Sequence, residues 1–393
     1  MVRTMEKINN MQKETIAYDQ LRVWAQVATF SPTHGSSERH IILHAHNELG
    51  GFEKQMEQIQ KAYSLLLEKY PNAKVIMRRY LLSDIANQAP ILQAQLQREG
   101  NDKGAISMIG QPPLDGSKIA LWIYTAEGLN VSYAENLTST SHNGYSHYWS
   151  TNWQSTTGGS NTQTREILEG YEAQLRHTDL NLADNCLRTW FFIRDVDTNY
   201  KGMVEARCNN FTMQRLTPDT HYIASTGIGG QPIQTQSRVQ MDAYAAQGLR
   251  PEQQHYLYAP THLNPTYQYG VTFERGTAIQ YGDRRHLLIS GTASINNRGE
   301  VIHLGDVKAQ AARMLENIET LLQEGGATLD DIVQSIVYLR DVADYHLVSR
   351  YLDERLPETP RVITLAPVCR PAWLIEMECI AIIPATDARY NNF

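Results

Sequence analysis

The chain has 393 residues, with 35 Lys and Arg against 42 Asp and Glu, and a pI near 6.0. A domain usually has roughly 100–200 residues, so this length predicts two or three domains. A hydrophobic content of 42% with 20% charged residues indicates a folded chain rather than a disordered one. The acidic balance argues against a nucleic-acid-binding protein, which usually carries a basic face.

The first segment, residues 1–20, is polar and is interpreted as an N-terminal tail. It lacks the apolar stretch of a signal peptide, and no run of 18 apolar residues follows it, so the sequence predicts no membrane span. The four cysteines form no C-x-x-C pair and are too few for a disulfide scaffold. We therefore expect a cytoplasmic protein.

A pattern of helices and strands recurs three times after this segment. In the first third, apolar spacing predicts a helix over 53–70, a strand over 74–85 and a helix over 85–96. The corresponding helix, strand and helix lie over 165–175, 185–196 and 200–211 in the second third, and over 306–323, 330–342 and 343–354 in the last. Two strands close each repeat. The sequence therefore predicts an α+β protein of three units with the order β-β-α-β-α-β-β.

Two carboxylates interrupt the apolar strand that closes the last third. Glu376 and Glu378 are two residues apart in WLIEMECI, so their side chains share one face of that strand. Like charges that are close and partly buried raise one pKa, which makes one of them a candidate proton donor near neutral pH. The alternative is that one faces water and pairs with a Lys or Arg. Alignment places Gln240 and Asp242 at these positions in the second third.

Residues 270–384 closely resemble the Rid family, also called YjgF/UK114 or endoribonuclease L-PSP. The resemblance rests on four motifs: Ser290-Gly291, Gln310 with Leu315–Ile318, Leu329–Val333 and Ile375–Glu378. Family members fold as a small sheet with two helices on one face, and they form trimers with ligand sites in the clefts between subunits. The resemblance thus implies a trimer fused into one chain, a monomeric pseudo-trimer that is able to associate further. The predicted boundaries are a tail over 1–20, degenerate units over 21–128 and 129–250, and a unit with the site over 251–393.

The family resemblance also implies an arginine that holds the substrate carboxylate. Arg361, fifteen residues before Glu376, stands where that arginine belongs. A guanidinium binds a carboxylate through two parallel hydrogen bonds, which lysine does not reproduce. The alternative is a surface arginine paired with Asp or Glu. The remaining predicted substrate-binding residues are Gly291, Thr292, Ala293, Phe273 and Cys369.

A second resemblance concerns the chorismatases, single-chain proteins of several Rid-like units that cleave the enol-pyruvyl ether of chorismate with water. The segments HYLYAPTHLNPTYQYGVTFERG and CRPAWLIEMEC are similar to that group. The resemblance implies that Arg361 holds a carboxylate while Glu376 or Glu378 protonates the enol methylene. Such an acid needs a raised pKa, which a carboxylate pair on an apolar strand provides.

Two other functions remain open from the sequence. One is the Rid-type hydrolysis of enamines or imines, against which Phe273 argues because the family usually has a tyrosine there. The other is ligand binding without turnover. In each case the expected partner is a small anionic carboxylate, with no nucleic acid, membrane, cofactor or metal. Because only the last third has both Arg361 and Glu376, we expect one competent cleft among three.

Overall fold

The computed structural model describes residues 10–393, in which three six-stranded sheets follow one another along the chain. Unit one consists of β1 (Met11–Tyr18), β2 (Val23–Phe30), β3 (Glu38–Ala45), α1 (Phe52–Lys69), β4 (Lys74–Leu82), α2 (Ile85–Arg98), β5 (Ala105–Gly110) and β6 (Ile119–Ala126). Unit two consists of β7 (Asn130–Ala134), β8 (Leu137–His142), β9 (Tyr145–Gln154), α3 (Ser160–Arg176), α4 (Leu182–Asn185), β10 (Cys186–Ile193), α5 (Val196–Met213), β11 (Ala224–Gly229) and β12 (Val239–Gln247). Unit three consists of β13 (Gln254–Leu257), β14 (Gly276–Gln280), β15 (Arg284–Ala293), α6 (Val307–Glu324), β16 (Ile332–Leu339), α7 (Tyr345–Arg355), β17 (Arg361–Leu365) and β18 (Ile375–Pro384).

The three sheets share one topology. In each, the strands lie in the order first, second, third, sixth, fourth, fifth, and only the fourth and fifth strands are parallel. This repetition confirms the predicted α+β fold of three related units. No helix among the described residues is long and apolar enough to cross a membrane.

Each unit has one more strand at its start than the sequence analysis predicted. In unit one this strand is β1, so residues 11–18 are not part of a tail; residues 1–9 lie outside the described part of the chain. β1 pairs with β2 along its whole length. Its polar residues resembled a tail because an edge strand that is only half-buried needs few apolar side chains.

The helices form where apolar residues recur at helical spacing. In α6, Ala311, Met314, Leu315 and Ile318 are buried against the sheet. The helix begins after Asp306, whose side chain accepts a 3.0 Å hydrogen bond from the Ala309 amide. Each unit thus buries one face of its sheet beneath its own helices.

The opposite faces of the three sheets form a common core. Trp122 of unit one and Trp149 and Trp190 of unit two meet there, with ring centroids 6.4 and 6.2 Å from Trp190. Three clefts separate neighbouring units at the rim of this core. The one–two cleft lies between β5 and β9, the two–three cleft between β11 and β15, and the three–one cleft between β16–β17 and β2–β3.

Candidate active site

A β-bulge positions Glu376 in the two–three cleft. The pairing of β15 with β18 shifts register between Ile289 and Thr292, and Ala293 then lies opposite Glu376. A Cβ atom on Gly291 would lie only 2.1 Å from Oε1 of Glu376. Bulges redirect side chains next to functional sites, and here the glycine leaves the space that the carboxyl group occupies.

Glu376 lines a cavity of about 30 Å³, which has room for about two water molecules. Units two and three both contribute to its wall. The lining residues are Tyr200, Arg207, Ser225, Gly227, Tyr269, Val271, Phe273, Arg275, Gly291, Ala293, Ile295, Cys369, Arg370, Trp373 and Glu376. Of the predicted site residues, the cavity therefore brings together Glu376, Gly291, Ala293, Phe273 and Cys369.

The Glu376 carboxyl group is buried and has a raised pKa. Burial, and next the charge of Glu378, raise its pKa to about 8, against the opposing effect of Arg275 and Arg188. Only 5% of Glu376 is exposed. This direction agrees with the expectation that the carboxylate pair supplies a proton donor near neutral pH.

Glu378 does not line this cavity, although the sequence analysis made it a catalytic candidate. Its Oε2 accepts a 2.8 Å hydrogen bond from Nη2 of Arg188, and its Oε1 accepts one of 2.8 Å from Nε1 of Trp190. Nη1 of Arg79 lies 3.9 Å away. Two residues along a strand correspond to roughly 7 Å, which carries Glu378 out of the cleft into the common core. There it joins all three units.

Arg361 is the second correction, because the structure places it in a different cleft from Glu376. Its Nη1 donates to the Leu356 carbonyl at 2.7 Å and its Nη2 pairs with Asp353. Its backbone N–H donates to Gln26 of unit one at 3.1 Å. β17 is separated from β18 by β16, and it faces the three–one cleft. Arg361 and Glu376 thus do not share a cavity.

In the two–three cleft, the strand position of Arg361 is held by Ser225. Ser225 pairs with Thr189 of β10 as Arg361 pairs with Ser335 of β16. In the same way, Gln240 lies opposite Phe192 in unit two, and Glu376 lies opposite Tyr338 in unit three. Gln240 and Glu376 are therefore equivalent, as the sequence alignment of the two units predicted.

The two–three cleft nevertheless contains a guanidinium group, that of Arg207 on helix α5. Nη1 of Arg207 donates to Ser225 at 3.3 Å and Nε donates to Thr272 at 3.2 Å. Arg207 follows Val196 by eleven residues, the same offset by which Asp353 follows Val342 in the matching segment of unit three. Unit two thus carries the arginine on its helix, where unit three has the aspartate that pairs with Arg361.

Two buried guanidinium groups of the cavity have no acidic partner. Within residues 10–393, no carboxylate lies within 4.0 Å of Arg207 or Arg275, which are 1% and 5% exposed. Arg275 instead donates from Nη2 to the backbone and side-chain oxygens of Asn264, at 3.0 and 3.2 Å. Buried cations without counter-ions favour an anionic ligand, and carboxylates fit the guanidinium geometry.

Two further predicted residues have plain roles. Thr292 does not line the cavity, since its hydroxyl donates to the Ser290 carbonyl at 2.9 Å and the side chain is buried. Cys369 does line it, but burial raises the pKa of its thiol to about 12, so it is not a thiolate nucleophile at neutral pH.

The other two clefts lack the Glu376 carboxyl group, since Gln240 and Ala120 occupy the equivalent strand positions. In the one–two cleft, Nε2 of Gln240 donates to the Met108 carbonyl at 3.0 Å and to Asn152 at 3.1 Å. In the three–one cleft, His44 lies 3.2 Å from Asp115. No group of three or more His, Cys, Asp or Glu residues between 10 and 393 is arranged to hold a metal ion.

Sequence reasoning missed the cations of the cavity. Arg207 lies on a helix where the family places its arginine on a strand, and only the eleven-residue offset from the FFIRDV segment marks its position. Arg275 and Arg370 lie in the FERG and CRPAW segments, which supported the resemblance without being assigned a role.

Comparison with known proteins identifies a family that matches the last third of the chain. The family model of endoribonuclease L-PSP matches residues 277–383. A RutC family protein of Pyrococcus abyssi is 36% identical over 107 residues, which are 26% of this chain and 82% of the relative. The 3-aminoacrylate deaminase RutC of Acinetobacter baylyi is 32% identical over 95 residues, 24% of this chain and 75% of the relative.

One solved structure extends the likeness beyond unit three. A chorismatase crystal structure superposes with a TM-score of 0.60 and 18% identity, covering 78% of this chain and 92% of that one. At this identity the match establishes a shared fold. The curated relatives, of which the chain covers 82% and 75%, show that it belongs to the Rid (YjgF, endoribonuclease L-PSP) family.

Proposed function

We propose that this protein hydrolyses the enol-pyruvyl ether of a small carboxylate, with chorismate as the best specific substrate, and releases pyruvate. The observation that carries the proposal is the buried carboxyl group of Glu376, whose pKa is raised, in one cavity with two buried guanidinium groups that have no carboxylate within 4.0 Å among residues 10–393. The fold that the chain shares with a chorismatase supports it.

The chemistry needs only the residues of the cavity and one water molecule. Glu376 donates its proton to the methylene carbon of the enol ether, and positive charge develops on the carbon that bears the ether oxygen. Water then attacks that carbon and loses a proton to the Glu376 carboxylate. Collapse of the resulting hemiketal breaks the bond between that carbon and the ring oxygen, which takes up the hydroxyl proton, and gives pyruvate and the ring alcohol. A donor whose pKa lies near the working pH suits both proton transfers.

Arg207 and Arg275 hold the substrate in this scheme. Chorismate has two carboxylates, one on the enol-pyruvyl group and one on the ring, and each guanidinium binds one of them. A cavity of about 30 Å³ does not hold a ring-bearing molecule. Binding therefore requires the cavity to widen by displacement of side chains that line it.

The small cavity also favours a second candidate, hydrolysis of a small enamine. A relative of the chain is a 3-aminoacrylate deaminase, and the residues that match the family model include Glu376. Protonation of the enamine carbon by Glu376 gives an iminium ion, which water attacks with release of ammonia. The same acid serves both reactions, so substrate size distinguishes them.

The test is incubation of the protein with chorismate, with pyruvate measured by coupled reduction to lactate. We expect pyruvate release that falls at least about 100-fold in Glu376→Gln, because general acid catalysis contributes that much. The matched control is Glu354→Gln, an exposed carboxylate on α7, which should retain activity. Ammonia release from 3-aminoacrylate without pyruvate release would favour the second candidate. No turnover of either substrate would overturn both.

A further inference from the structure

Unit one contains a cavity of about 310 Å³. It has no residue in common with the cavity around Glu376, the proposed active cavity. It lies between α1, β4, the 100–105 segment and the β7–β8 hairpin of unit two. Three cationic side chains line it, Lys74, Arg78 and Lys103, and no Asp or Glu does. Its volume falls in the range of small-molecule sites.

Arg78 is the buried element of this cavity. Only 3% of it is exposed, and its Nη2 donates to the Asn101 carbonyl at 2.5 Å. Its Nη1 is buried without a hydrogen-bond partner, and no carboxylate within residues 10–393 lies within 4.0 Å of it. A buried cation without a counter-ion is costly, so the arrangement favours an anion that completes it.

The walls of the cavity are built closely around this cation. The Tyr63 ring lies with its centroid 5.6 Å from the Arg78 guanidinium carbon, and Tyr133 donates to the Val75 carbonyl at 2.9 Å. Gly104 has a φ of +98°, and a Cβ there would lie 2.9 Å from Cδ1 of Tyr133. The glycine therefore allows the hairpin of unit two to close one side of the cavity.

The repeat shows that the cation is particular to unit one. Arg78 lies opposite Ile123 in its sheet, as Thr189 lies opposite Ala243 and Ser335 opposite Cys379. The equivalent positions of the other units thus carry short hydroxyl side chains. A requirement of the shared fold therefore does not explain a buried arginine here.

We propose that this cavity binds a small oxyanion, a phosphate or a carboxylate, attached to a small apolar group that packs against Tyr63 and Tyr133. Arg78 pairs with the oxyanion at the base of the cavity. Lys74 and Lys103, both exposed, contribute charge at its rim. This binding is independent of the proposed hydrolysis and does not involve Glu376.

The test is isothermal titration of the full chain with inorganic phosphate, phenyl phosphate and acetate. We expect saturable binding of at least one of these anions, with phenyl phosphate tighter than inorganic phosphate because of the aromatic wall. Lys74→Met and Lys103→Met should each weaken binding about threefold, as expected for an exposed charge. Arg78→Met should weaken it at least about tenfold, since the charged hydrogen bonds from the guanidinium to the anion are lost.

Two controls locate the binding. Lys308→Met removes an exposed lysine of unit three, and Arg207→Met removes a cation of the active cavity. Lys308→Met should leave the dissociation constant unchanged, and binding that persists in Arg207→Met does not depend on the active cavity. Binding that is lost in Arg207→Met but retained in the two rim lysine variants would overturn the proposal, as would the absence of saturable binding for all three anions. Because the rim lysines are exposed, their variants test the site even if Arg78→Met fails to fold.

Discussion

The two–three cleft and the three–one cleft are built from equivalent strands and helices, but they place charge differently. In the three–one cleft, Arg361 on the strand pairs with Asp353 on the helix and with a backbone carbonyl. In the two–three cleft, Ser225 replaces the strand arginine, and Arg207 on the helix has no carboxylate within 4.0 Å among the described residues.

Under the proposed function, this difference explains why the two–three cleft binds the substrate anion and the three–one cleft does not. A guanidinium whose hydrogen bonds are taken by protein acceptors has little to gain from a ligand carboxylate, whereas a buried guanidinium without a counter-ion gains much. The two clefts also differ in their carboxyl group. Glu376 faces the two–three cleft, whereas Ala120 occupies the equivalent position beside the three–one cleft. Residue type at equivalent positions, rather than the fold, separates the two clefts.

The largest effect is expected from Glu378→Gln, which tests the assignment of this carboxylate to the core. The change leaves Arg188 and Arg79 buried with less compensating charge, so the free energy of unfolding should fall by about 3–5 kcal/mol. Urea denaturation followed by tryptophan fluorescence measures it. The exposed Glu354→Gln variant should change stability by less than about 0.5 kcal/mol. A loss below 1 kcal/mol in Glu378→Gln would contradict a structural role.

Arg207→Met tests the cation of the two–three cleft. Under the proposed function, kcat/KM for pyruvate release should fall about 100-fold, since a charged hydrogen bond contributes about 1.5–3 kcal/mol. Arg207→Lys should recover only part of this loss because lysine does not form the two parallel hydrogen bonds. Activity within threefold of the unmodified protein would show that Arg207 does not hold the substrate.

The pH profile tests the protonated state of Glu376. Because its pKa is raised to about 8, kcat/KM should be level below that pH and fall tenfold per unit above it, as the acid loses its proton. The free energy of unfolding should also fall as the pH rises. The folded state binds this proton more tightly than the unfolded state, so the associated stability is complete below pH 4.5 and is lost as pH rises towards 8.

Measurement of the unfolding free energy between pH 5 and 8 tests the predicted loss of stability with rising pH. Glu376→Gln should reduce the decline in stability over this range, while Glu354→Gln should not alter it. An activity profile that rises through pH 8 would instead assign Glu376 the role of a base.

The smallest effect is expected from Arg361→Met, the counterpart of Arg207→Met in the other cleft. Because Arg361 does not line the active cavity, kcat/KM for pyruvate release should stay within twofold. Loss of its charged hydrogen bond to the Leu356 carbonyl should lower stability by about 1.5–3 kcal/mol, measured by urea denaturation. A 100-fold loss of activity with unchanged stability would restore Arg361 to the site and remove the distinction between the clefts.

Much of unit three and its acid were predictable from local pattern. The helix over 306–323, observed at Val307–Glu324, follows from apolar spacing and an aspartate cap. Glu376 was found because a carboxylate on an otherwise apolar strand needs a special environment, and the shared face of Glu376 and Glu378 follows from strand geometry. β1 was missed, since its polar residues carry little sign of a half-buried edge strand.

The sequence by itself determined the repeated α+β units, the acid and the absence of a second carboxylate pair in the other repeats, because these depend on local periodicity and residue type. Only the tertiary structure decided which side chains meet. Glu376 shares a cavity with Arg207, 169 positions earlier in the chain, while Arg361, only fifteen positions earlier, faces another cleft. The reason is that each cleft combines strands of two different units, so proximity along the chain does not determine proximity in the site.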